Sequence, residues 1–113
     1  MIRSFADIEK SQLRGMMRRV DSLGRILVPM EYRRELGLEK DVKIEIDILE
    51  DGMLVRPLFA GEGGPAFLTA RRIDSLGRVN IPVTARRILD IACHDELEMF
   101  LLRDGLFIRR KTA

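Results

Sequence analysis

Cysteine and histidine are nearly absent from this sequence: Cys93 and His94 stand alone, side by side. A single thiol excludes an intrachain disulfide, and one imidazole beside it is too few for a zinc site of the usual ligand spacing. Their adjacency invites a catalytic reading, but neighbours on an extended or turn segment point in different directions, and no third group accompanies them to activate the thiol. Long apolar runs are missing too. No stretch reaches the ~18 residues of a membrane span, and the opening MIRSFADIEKSQLRG is too charged for a signal peptide. The chain is therefore expected to be soluble and cytoplasmic, with no membrane partner. Aromatics are only 5% of residues and lie within apolar runs, which argues against a platform for stacking single-stranded nucleic acid. What is present is an apolar content of 46% in 113 residues, enough for the modest core of one ordinary domain or two very small halves.

The sequence is written twice. DSLGR occurs at 21–25 and again at 74–78, and an ungapped offset of 53 pairs 18–57 with 71–110 with 16 of 40 positions identical. Many of the differences are apolar exchanges that preserve a buried face, such as Val20/Ile73, Ile26/Val79, Val28/Ile81 and Ile44/Leu97. Four segments follow: an N-terminal extension at 1–16, repeat 1 at 17–57, a linker at 58–69 and repeat 2 at 70–110.

Each copy reads as strand, turn, strand, short helix and hairpin. Asp21 and Ser22 can bond nearby backbone amides while Gly24 takes a positive φ, so DSLG predicts a tight connection between 17–20 and 25–28, and Gly77 serves the second copy likewise. Pro29 and Pro82 suit a first helical position, where the missing N–H costs nothing. The helix of copy one is predicted over 30–36, stopped by Gly37; copy two has Asp90 there, a weaker stop. From Val42 the alternation of Ile44, Ile46 and Ile48 with Lys43, Glu45 and Asp47 marks a half-buried strand, which EDG, or RDG in copy two, turns back into MLVR or LFIR. About 40 residues is the lower limit for a self-sufficient core, so each copy needs a partner. The fold expected is mostly β with short helices, the two copies closing one β-barrel within the chain; pairing of like halves between two chains is the alternative, and linker length does not decide between them.

Charge is segregated. Residues 18–34 hold five arginines against Asp21 and Glu31, and 71–87 hold five against Asp74, giving +3 and +4 in a chain of net +2, so the remainder carries −5. Neither window contains a lysine. The planar guanidinium fork matches phosphate oxygens and guanine edges, and two equivalent basic patches suit the symmetric phosphates of a duplex. Pairing with acidic strands such as EIDILED, or simple solubility, would account for one such arginine more readily than for ten at matched positions.

RRVDSLGRILVPMEYRRELGL resembles the DNA-binding domain of the AbrB family of bacterial transition-state regulators, the SpoVT-AbrB or swapped-hairpin superfamily, and RRIDSLGRVNIPVTARRILDI resembles it a second time. The basic pair, D-x-x-G-R, the strand ending in proline and the basic pair of the helix all appear in order. The resemblance implies a swapped-hairpin, AbrB-like β-barrel built from two β-hairpin/helix/β-hairpin repeats, similar in plan to MraZ-type proteins. It implies DNA contacts from Arg18, Arg19, Arg25, Arg33 and Arg34, and from Arg71, Arg72, Arg78, Arg86 and Arg87. Departures are Asn80 for Leu27, Asp90 for Gly37 and Phe100 for Asp47. An outward Phe100 would mark an oligomer interface, with a locally wider core the alternative.

The function expected is a duplex DNA-binding transcriptional regulator, nucleoid-associated, without enzymatic activity or cofactor. Barrels are expected to associate into homo-oligomers that place several basic faces along one DNA. Asp21 and Asp74 read as turn residues, with no base, nucleophile or metal set beside them. The first rival is an antitoxin of MazE type, which resembles this fold but adds an acidic toxin-wrapping tail. Here the expected C-terminal arm is missing, leaving only the N-terminal extension, a candidate short helix, to substitute for it. The second rival is an assembly module that binds no DNA.

Overall fold

The computed structural model describes residues 3–8, 15–58 and 71–111. Most of the expected linker and residues 9–14 of the extension therefore lie outside the described residues. A single 3-10 turn, Phe5–Asp7, precedes β1 (Gly15–Arg19), β2 (Arg25–Leu27), α1 (Met30–Leu36), β3 (Lys43–Ile48) and β4 (Met53–Pro57). The same order then recurs as β5 (Arg71–Arg72), β6 (Arg78–Asn80), α2 (Val83–Ile88), β7 (Glu96–Leu101) and β8 (Leu106–Arg110).

Strand pairing joins the halves rather than completing each one. β1 pairs antiparallel with β7, and β5 with β3, so the first strand of each half lies against the third strand of the other. The two local hairpins, β3–β4 and β7–β8, meet where β4 pairs with β8, giving one six-stranded sheet in the order β1-β7-β8-β4-β3-β5. β2 and β6 form a separate two-stranded ribbon, Arg25 opposite Asn80, Ile26 opposite Val79 and Leu27 opposite Arg78. The sheet and the ribbon are not joined by strand pairing into a closed ring, so the molecule is mostly β with two short helices but is not the closed barrel expected. Nor is the first strand–turn–strand of each copy a paired hairpin. The reason is local: the Arg25 amide, which a hairpin ladder would use, donates to the Asp21 carboxylate instead, and the Arg78 amide donates to Asp74. The strand that follows is left to find a partner in the other half.

Helix boundaries follow the predicted residues, with two differences. Pro29 and Pro82 stand one position earlier than expected, as N-caps with ψ of 143° and 145°. That extended backbone is compatible with the ring, and each proline carbonyl accepts the first helical bond, from Arg33 and Arg86 at 3.0 Å. α1 ends at Gly37 in the left-handed region, φ 67°; Asp90 adopts the same conformation at φ 55°, which aspartate tolerates better than most side chains. Asp41 and His94, also matched across the offset, are left-handed as well. His94 is an exposed turn residue whose N–H meets the Val20 carbonyl, and Cys93 Sγ lies 3.5 Å from the Ser22 carbonyl, so both serve the turn beside the first DSLG.

The core lies between the sheet, the ribbon and the helices. Val20, Ile26, Val28 and Ile44 from the first half pack with Ile73, Val79, Ile81 and Leu97 from the second, all at 1% exposure or less. Tyr32 of α1 is buried where α2 has Ala85, so the halves fill matched positions with different volumes. A second cluster collects Ile8, Phe100 and Phe107, with Phe5 packed against it. Phe100 is therefore buried, not displayed. Its ring lies 4.9 Å from that of Phe5, whose N–H is bonded to the Asp51 carboxylate, so residues 3–8 form a strap across the second hairpin.

Candidate nucleic-acid interface

Asp21 organises the first turn. One carboxylate oxygen accepts from the amides of Leu23 (2.9 Å) and Arg25 (2.8 Å), and the other from Arg25 Nε (2.8 Å). Asp74 repeats this with Leu76, Arg78 and Arg78 Nε at 2.9, 2.8 and 2.7 Å. The Arg25 amide is the main influence holding Asp21 below the ordinary carboxylate value of 3.8; partial desolvation opposes it, and the Arg25 guanidinium and Leu23 amide assist. For Asp74 desolvation is the largest single influence and acts upward, but the amide and guanidinium of Arg78 with the Leu76 amide outweigh it, and the net shift is again downward. Both carboxylates thus stay ionised and hold Arg25 and Arg78 by Nε, which leaves the terminal amino groups at the far end of the fork.

The turns are then locked to each other's half. The Val28 amide donates to the Gly77 carbonyl (2.9 Å) and the Ile81 amide to that of Gly24 (2.8 Å). Arg33 reaches from α1 across Gly77, and Arg86 from α2 across Gly24: a methyl group on either glycine would sit 2.5 or 2.8 Å from the guanidinium carbon. These glycines are doubly required, by φ of 79° and 84° and by the arginine lying where a side chain would start. Arg33 Nε donates to the Val28 carbonyl at 3.0 Å, whereas Arg86 Nε is buried with no acceptor among the described residues.

Four of the ten predicted arginines, Arg25, Arg33, Arg78 and Arg86, are thus gathered at the turns and the ribbon between them. Arg34 and Arg87 stand exposed on α1 and α2. The other four lie on β1 and β5, the edge strands of the sheet: Arg19 faces Glu96 at 3.5 Å, Arg72 bonds the Asp41 carbonyl, Arg18 is half-buried with Nη1 on the Met17 carbonyl, and Arg71 is exposed. Arg33, Arg34 and Lys40 also line an open groove of about 340 Å³ between α1 and the second turn.

Sequence reasoning missed the apolar part of this surface. Leu23, Leu27, Met30, Leu76, Val83 and Ile88 are 42–62% exposed, and all lie on the turns, the ribbon and the helices. Scattered exposed leucines are ordinary, but their confinement to the arginine-bearing elements is not. The signal was there in Leu23 and Leu76, an apolar residue kept at the tip of both polar turns.

Residues 17–58 match a family described as antidote-toxin recognition MazE, bacterial antitoxin. The chain is 54% identical over 43 residues to stage V sporulation protein T of Bacillus subtilis (strain 168), across 38% of this chain and 24% of that protein. It is 36% identical over 42 residues to the transition state regulatory protein AbrB of the same organism, across 37% of this chain and 44% of that protein. The chain thus has homology to the AbrB/SpoVT group over one region, and spans less than half the length of these relatives. No solved structure gives a significant match. Among the described residues no helix is long and apolar enough to cross a membrane.

Proposed function

We propose that this chain is a duplex DNA-binding transcriptional regulator of AbrB type, non-enzymatic and cytoplasmic, whose two halves are tandem AbrB-like repeats interleaved in the manner of a swapped-hairpin fold. The observation that carries the reading is the pair of matched turns, each presenting an arginine clamped by its own aspartate and covered by an arginine of the other half's helix. Fixing a guanidinium before binding reduces the side-chain entropy lost on contact with phosphate. Arg33, Arg34, Arg86 and Arg87 grip the backbone and Arg25 and Arg78 face the groove between them, while Arg18, Arg19, Arg71 and Arg72 extend the basic surface and its phosphate contacts along the sheet edges. Homology to a protein named as a transition state regulator supports the same reading.

About six phosphate contacts should make log K fall against log salt with a slope of ~5. Fluorescence anisotropy with AT-rich and GC-rich duplexes, over several salt concentrations, measures that slope. The combined substitution Arg33→Ala, Arg34→Ala, Arg86→Ala and Arg87→Ala should reduce it to ~2, with the circular dichroism of the fold retained. Intact, folded protein that binds no duplex at low salt would overturn the reading. It would favour instead a partner-binding role, for which the match to the antitoxin family and the exposed apolar residues beside the arginines are the relevant observations.

A further inference from the structure

We propose that the DNA face reads a non-palindromic site in one fixed orientation, with Asn80 as the residue that breaks its symmetry. This rests on the duplex-binding reading above. The ribbon β2–β6 has one buried pair, Ile26 opposite Val79, at 0% and 1% exposure. Strand alternation therefore sends the flanking pairs, Arg25 with Asn80 and Leu27 with Arg78, to the opposite face, where Leu27 is 42% exposed and Asn80 is exposed. A major groove admits a two-stranded ribbon, and residues two apart on a strand lie ~6.8 Å from each other, close to two base-pair steps of 3.4 Å.

The four outward side chains obey the internal two-fold with one exception. Arg25 and Arg78 exchange with each other, but Leu27 exchanges with Asn80. Arginine pairs with guanine through O6 and N7, and asparagine with adenine through N6 and N7; leucine offers only an apolar contact of the kind a thymine methyl accepts. The Arg25–Asn80 side therefore reads a guanine neighboured by an adenine, and the Leu27–Arg78 side reads a guanine without that adenine. The helices carry the same polarity. α1 exposes Glu31 and Glu35 where α2 exposes Thr84 and Ile88, so acidic repulsion of phosphate falls on the first half alone.

Selection of binding sequences from a randomised duplex pool, with the full chain, tests this. The wild type should yield a motif whose two halves differ by one adenine. Asn80→Leu, which installs the residue already present at the matched position, should yield a symmetric motif and reduce discrimination at that adenine about 5- to 150-fold, with the salt slope unchanged. Leu27→Asn should yield a symmetric motif with the adenine on both sides. A palindromic wild-type motif, the same motif from wild type and Asn80→Leu, or duplex binding with no sequence preference overturns the inference and leaves the regulator reading standing. Absence of binding to every duplex overturns both.

Discussion

At the turns the two halves share the same clamp: Asp21 and Asp74 hold Arg25 and Arg78 by Nε at 2.8 and 2.7 Å, and each turn accepts an amide from the other half. On the outward face of the hairpins they diverge. Arg56 in the first half is bracketed by Asp47 at 2.8 Å and Glu45 at 3.7 Å. Its counterpart Arg109 keeps Glu98 at 3.1 Å, but Phe100 has taken the place of Asp47, and the guanidinium lies 3.8 Å over the ring of Phe5. The difference shows where this architecture tolerates change. At the turns each group has two duties, so an exchange breaks two contacts at once. On the hairpin face the second half has an aromatic ring where the first has a carboxylate, and residues 3–8 pack over that ring and add a cation–π contact.

The exchange can be reversed experimentally. Phe100→Asp copies the first half's chemistry into the second, and by the scale of buried Phe truncations it should cost about 3–5 kcal/mol, read from urea denaturation, and release the strap, read as faster amide exchange at Phe5 and Ile8. Gly77→Ala tests the end at which the halves match. Left-handed backbone costs a non-glycine residue about 1–2 kcal/mol, and the displaced Arg33 should weaken duplex binding as well; Gly24→Ala should behave alike, and unequal effects would break the equivalence of the turns.

A smaller effect is expected in acid. Because Asp21 and Asp74 titrate below 3.8 in the folded chain, the unfolded chain binds more protons as pH drops through that value. The stability they contribute is therefore complete above it and lost on further acidification. Urea midpoints between neutral pH and strong acid should decline less steeply for Asp21→Asn with Asp74→Asn than for the wild type. Least of all, Asp47→Phe should change stability by no more than about 1 kcal/mol, since it removes a partly exposed ion pair. A large loss there would show that the two hairpin faces are not alternatives to one another.

The local elements were legible because their causes are local. The alternation from Val42, the turn chemistry of DSLG and the stop at Gly37 led to a strand, two turns and a helix that the structure contains. The pairing of β1 with β7 and of β2 with β6 was not legible, because nothing in the alternation of such short strands names a partner in the other half of the chain. Phe100 was left between an outward position and a wider core for a related reason. Its cover is Phe5, and the extension, read from sequence as a candidate short helix, did not show what it packs on. Of the candidate site, the arginines were visible as a repeated charge pattern, whereas the crossing of Arg33 and Arg86 onto each other's turn depends on the same non-local assembly.

The ribbon takes one strand from each half, and both halves belong to one polypeptide. Bringing the strands together is therefore a first-order event: a covalent tether holds its ends at an effective concentration of order mM, whatever the amount of protein in the cell. A reading face shared between two separate chains would come apart on dilution, and its occupancy of DNA would fall with the square of chain concentration once dimers became scarce. On the duplex-binding proposal, a handful of molecules would suffice to present a complete face, and the response of a site to expression level would be linear rather than cooperative at the step that joins the two strands.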